Sequence, residues 1–169
     1  MRTTPCALGA ASLLLLAVGC GSVIDEGPTN DDIKHTTGLT VEQAARVVYD
    51  NLNLVWPNPV EPRLDQVGKI GCRTNPNSMR SEGPPWQVEK KMVKEDPSPE
   101  LVEQVRANLD SLTERGFVLE DFTIIDDHPL DRVYTNGDGY VIQSSMEIDR
   151  RVTDIPILEV ASRSPCAAE

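Results

Sequence analysis

Few residues in this chain are of the types that do chemistry at neutral pH: four cysteines and two histidines among 169 residues. Asp126-Asp127-His128 sets two carboxylates beside an imidazole, with Asp131 close behind. Such a group could hold a divalent cation. Adjacent residues rarely converge on one ion without partners from elsewhere, however, and a solvated turn ahead of Pro129 accounts for the same residues. No metal site is expected here. His35 lies in a stretch without periodic pattern and cannot be a fixed base, so His128 is the one neutral-pH titrator. No serine elbow, phosphate loop, HExxH or calcium-loop spacing occurs. Asn136-Gly137-Asp138-Gly139 is calcium-like only in composition, and hairpin geometry explains it better. The expectation is a domain that is not an enzyme and carries no cofactor. A hydrolase built from some of the 27 acidic residues is the least favoured reading and would need carboxylates of raised pKa in one cleft.

The remaining chemistry belongs to thiols. Arg2 precedes an uncharged run from Cys6 to Val18. That run suits a signal peptide and falls short of the ~20 apolar residues of a spanning helix. Its end, Leu13-Leu14-Leu15-Leu16-Ala17-Val18-Gly19-Cys20, resembles the lipobox of bacterial lipoproteins. The resemblance implies loss of residues 1–19 and acylation of Cys20, placing the protein at the outer face of the cell membrane. Two acyl chains anchor stably, since each buried methylene adds about 0.8 kcal/mol and one chain alone is marginal. The alternative is a plain secretory signal cleaved nearby, with Cys20 incidental.

Removing residues 1–19 from 169 leaves 150, a size suited to one domain. Arg2 is the one charge removed, so 15 basic residues face 27 acidic ones, a net of −12. That balance argues against nucleic acid or an anionic membrane surface as a direct partner, so the lipid on Cys20 must supply the membrane affinity. With Cys20 assigned to lipid, Cys72 and Cys166 are the remaining pair in an oxidising compartment and are expected to form a disulfide. Two cysteines so far apart, without a CxxC, lack zinc-site spacing.

The elements that must position these residues follow from pattern. Residues 20–38 read as a lipidated flexible tether, mixed in composition and without apolar period, whose last 18 residues would span about 20–25 Å. A single domain is expected over 39–169. Thr40 and Gln43 form a capping box before Val41, Ala44, Ala45, Val48 and Leu52, an amphipathic stripe that predicts a helix over 40–53. Residues 64–72 read as a strand with a bulge at its glycines, 73–85 as a polar loop, and 86–93 as a second strand. Ser98-Pro99-Glu100 starts a helix that Arg115-Gly116 ends. Strands are expected over 117–125, 132–135, 140–148 and 155–162, with a hairpin turn at Asn136–Gly139. The fold class is α+β: two layers, an antiparallel sheet of about five or six strands with two helices on one face. The disulfide would tie the end of the last strand to strand 64–72.

The lipobox, the mid-chain cysteine, the tryptophan strand, Arg115-Gly116-Phe117, Asp138-Gly139-Tyr140 and the terminal Ser164-Pro165-Cys166 together resemble the small uncharacterised lipoproteins of actinobacteria. That resemblance implies a similar α+β fold and outer-face anchoring, and no activity. Trp86, beside Pro84 and Pro85, and Trp56, among prolines, are the candidate partner contacts, set against the commoner role of tryptophan as core. The expected function is a non-enzymatic binding domain for a protein or other envelope component. The alternative is a carrier of a small apolar ligand or lipid between the two layers.

Overall fold

The computed structural model describes residues 25–120, 128–149 and 155–169. The expected signal peptide, Cys20, Asp126 and Asp127 lie outside those residues, as do residues 121–125 of the strand expected over 117–125. Among the described residues are three α-helices: α1 (Asn30–Thr36), α2 (Val41–Val55) and α3 (Pro99–Asp110). They accompany six strands: β1 (Gly68–Thr74), β2 (Ser81–Glu95), β3 (Phe117–Leu119), β4 (Arg132–Asn136), β5 (Val141–Asp149) and β6 (Ile155–Ala167). The strands form one antiparallel sheet in the order β1-β2-β6-β5-β4-β3. The helices pack on it, and the fold class is the expected α+β.

The helix count is corrected from two to three, because α1 lies within the stretch expected to be a tether. Its start is local chemistry: the Thr29 hydroxyl accepts the Asp32 N–H at 3.2 Å, and the Asp32 carboxylate accepts the Thr29 N–H at 2.8 Å. Asp31 and Asp32 sit at the positive helix end, Lys34 and His35 at the negative one. One apolar side chain, Ile33, is buried. A single such residue produces no period, which is why the pattern of the sequence missed the helix.

In α2 the Thr40–Gln43 capping box is present, and Ala44, Ala45, Val48 and Leu52 are fully covered. The helix runs to Val55, and Trp56 caps it with its side chain 8 % exposed, packed beside Val55, Val105 and Leu109. Trp56 as a partner contact is therefore corrected: it is a core residue. Asn53 turns the following prolines back, its side chain bonding both the N–H and the carbonyl of Val60. In α3, Ser98 caps the start, and the end tightens into a 3-10 turn over Ser111–Arg115 before Gly116 at φ 84°.

Register sorts the sheet's two faces. Ile142 stands opposite Ser162, and Ser144 opposite Val160. All four are buried, and Ile142 and Val160 share one core with Leu52, Val105, Leu109 and Leu112 of the helical layer. The alternate positions, among them Glu89, Lys91, Val93, Gln143 and Glu159, form the sheet's other face. The hairpin turn is as expected: the Asn136 side chain accepts the N–H groups of Asp138 and Tyr140, and Gly139 takes φ 81°.

Several strand boundaries differ from expectation, most of them by one or two residues and some by more. Leu64–Gln66 is a 3-10 turn, so β1 begins at Gly68. β2 starts at Ser81, inside the expected loop, and continues through Gly83-Pro84-Pro85. β6 continues through Ser164-Pro165-Cys166. Pro84, Pro85 and Pro165 fall at irregularities of register, where a ladder N–H is not required.

Candidate functional site

Three of the sequence-derived candidates, Cys72, Cys166 and Trp86, converge on one corner of the sheet, where β1, the start of β2 and the end of β6 meet. Cys72 and Cys166 are joined by a disulfide, with Cα atoms 6.1 Å apart. The two strands are not neighbours, because β2 lies between them. Gly71 pairs with Trp86 and Arg73 with Glu82, so three residues of β2, Gly83 to Pro85, stand opposite Cys72 alone. This bulge lets β1 fold across β2 toward β6. It also needs glycine: a Cβ on Gly71 would collide with the backbone of Glu82. A bulge at the strand's glycines was expected, and it sits beside Gly71.

A second irregularity meets the first. β2 and β6 slip register between Gln87 and Glu89. There the Val88 N–H donates to the buried Ser164 hydroxyl at 2.9 Å, and that hydroxyl donates to the Pro165 carbonyl at 2.7 Å. Ser164 thus supplies the acceptor that the displaced backbone cannot. Nothing in the spacing of Ser164-Pro165-Cys166 announces this role.

Trp86 is half-buried beside the bridge. Its ring lies against Gly83, where a Cβ would come within 2.6 Å of it. The Lys69 ammonium stands 5.7 Å from the ring centroid, within cation–π range. Lys69 is in turn held by the Glu169 carboxylate at 3.1 Å. The Lys69 ammonium, and then the Trp86 indole, hold the Glu169 carboxyl below the usual carboxylate range. The indole N–H is buried and closes no hydrogen bond of ordinary geometry. Trp86 is therefore capped by groups of its own chain. Lys69 and Glu169 were missed in the sequence because they lie 100 residues apart.

The N-terminal described residues complete the corner. Glu26 pairs with Arg73 at 2.8 Å, and its carbonyl accepts the Thr74 N–H at 3.0 Å. Gly27 sits so close to β1 that a Cβ there would meet the Cys72 carbonyl at 2.5 Å. Asn30 accepts the N–H of Glu169. Residues 25–38 are thus folded against the domain, and the tether expectation is corrected over that span.

Both imidazoles are engaged by their own backbone. His128 Nδ1 accepts the Leu130 N–H at 3.2 Å, and His35 Nδ1 is 2.7 Å from the Asp31 carbonyl. The Asp131 carboxylate accepts the Met146 N–H at 2.9 Å. It is tied into the sheet. Among the described residues no group of three or more His, Cys, Asp or Glu side chains could hold a metal, and no helix is long and apolar enough to cross a membrane. No protein-family model matches the chain, and neither a curated protein nor a solved structure matches it.

Proposed function

We propose that this chain is a lipoprotein anchored through Cys20 at the outer face of the cell membrane, with a non-enzymatic domain that binds a protein or other envelope component. The observation that carries the reading is the apolar run Leu13–Gly19 ending at Cys20. The engagement of His35, His128 and Asp131 in local hydrogen bonds supports a scaffold over a catalyst. So does a corner braced by a disulfide, which suits a rigid presenting surface.

Metabolic labelling with a fatty acid tests the anchor. Label on the wild type that vanishes in Cys20→Ser is expected, and label retained in that variant overturns Cys20 as the site. Crosslinking in intact cells, followed by recovery of the protein, tests the binding role. A carrier of an apolar ligand is less well supported, because Ile142, Leu158, Leu52 and Leu109 fill the space between the layers at 0 % exposure. Native mass spectrometry that finds a bound lipid in the purified domain would restore that alternative.

A further inference from the structure

The folding of residues 25–38 changes what an anchor at Cys20 would do. An 18-residue coil would let the domain swing freely above the headgroups. Instead, Glu26 and Gly27 are fixed against β1 through Arg73, Thr74 and Cys72. Cys20 and Asp25 are five residues apart. Even fully extended, five residues reach at most about 18 Å. The point of attachment is the turn end of the β1–β2 hairpin, where Thr74 pairs with Ser81.

That hairpin end is itself an ordered structure. The Asn75 side chain accepts the N–H groups of Asn77 and Ser78, and the Asn75 backbone N–H donates to the Arg80 carbonyl at 2.9 Å. The turn presents Met79 at φ 54° with its side chain 66 % exposed, and Pro76 to Arg80 are all exposed. Met79 is the most exposed of the large apolar side chains among the described residues. Met79 and Arg80 set an exposed apolar side chain beside a cation, the pairing that amphipathic segments present to the headgroup boundary of a bilayer. β2 carries the opposite end of the domain away, since Lys94 is thirteen residues beyond Ser81, about 43 Å along a strand.

We infer that the domain docks in a fixed orientation, with the β1–β2 turn Asn75–Arg80 against the lipid bilayer, Met79 in its interface, and the Glu95 end of the sheet turned outward. This rests on acylation of Cys20. The turn supplies contact and the short linker supplies proximity, so neither needs a basic patch.

The test uses the full acylated chain on phosphatidylethanolamine–phosphatidylglycerol vesicles, with spin labels placed by Met79→Cys or, separately, Lys94→Cys. The oxidised Cys72–Cys166 pair does not take the label. Flotation with the vesicles, a several-fold loss of access to an aqueous relaxant at position 79, and full access at position 94 are expected. A long Gly-Ser insertion after Ile24 should restore aqueous access at 79 while flotation persists. Flotation with equal aqueous access at 79 and 94 overturns the orientation and leaves the anchor standing. Protection at 79 that survives the insertion overturns the role of the short linker. Failure to float defeats the anchor and the orientation together. Asn77→Cys provides a second reporter in the same turn.

Discussion

Cys72 and Cys166 stand 6.1 Å apart at Cα although β2 runs between the strands that carry them. Strands two places apart in a regular sheet are separated by about 9.5 Å. The bridge therefore requires the sheet to fold over at this corner, and the unpaired residues Gly83–Pro85 permit it. The covalent link and the bulge are one feature.

The bridge spans a sequence separation of 94. The chain-entropy model assigns about 4.6 kcal/mol to a loop of that size. Cys72→Ser should lower the melting temperature by well over 10 °C in a calorimetric scan. An unchanged transition would mean that the corner is held by its hydrogen bonds alone.

Gly71→Ala places a Cβ against the backbone of Glu82, whereas nothing lies within 4 Å of a Cβ on Gly137. The first substitution should cost at least the 1–3 kcal/mol typical of overpacking, and the second well under 1 kcal/mol. Urea unfolding midpoints of the two variants decide it, and equal midpoints would refute the crossing geometry.

Ser164→Ala removes the acceptor of the buried Val88 N–H and strands a polar group. A loss of about 1–3 kcal/mol is expected, with faster hydrogen exchange at the Val88 amide. Retained protection at Val88 would show that another acceptor serves it.

Trp56 and Trp86 should separate by fluorescence. Trp56 is 8 % exposed within the core, so Trp56→Phe leaves the half-buried Trp86 as the sole emitter, red-shifted and open to acrylamide. Trp86→Phe should leave a blue-shifted, shielded emission. The reverse assignment would displace Trp86 from the corner described.

Hydrogen bonds from Thr29 lower the Asp32 carboxyl, and the Lys69 ammonium lowers that of Glu169. A folded-state pKa below the unfolded one gives stability that is present above the unfolded value, about 4 for these residues, and lost as pH falls through the folded value. Between pH 7 and pH 2–3, α1 and the C-terminal residue should loosen from the corner before the sheet unfolds. Limited proteolysis near Asn30 with an acid-active protease reports this. Cleavage that is insensitive to pH counts against the two carboxylates.

What the sequence by itself determined is what local chemistry controls. The Thr40–Gln43 box, the Ser98-Pro99 start, the Gly116 stop and the Asn136–Gly139 turn each act within a few residues, and each stands where its residue types placed it. The cysteine pairing was legible too, as a matter of arithmetic. Tertiary structure decided the rest. Ile33 became a helix anchor because a sheet surface was there to cover it. Trp56 went inward because α3 closed over it, while Trp86 met Lys69 and Glu169, partners no short window contains. The order β1-β2-β6-β5-β4-β3 follows from pairings made across long stretches of chain. Hydrogen-bonded ladders carry no record of their partner in the strand's own alternation, so the sheet's order had to be read from the fold.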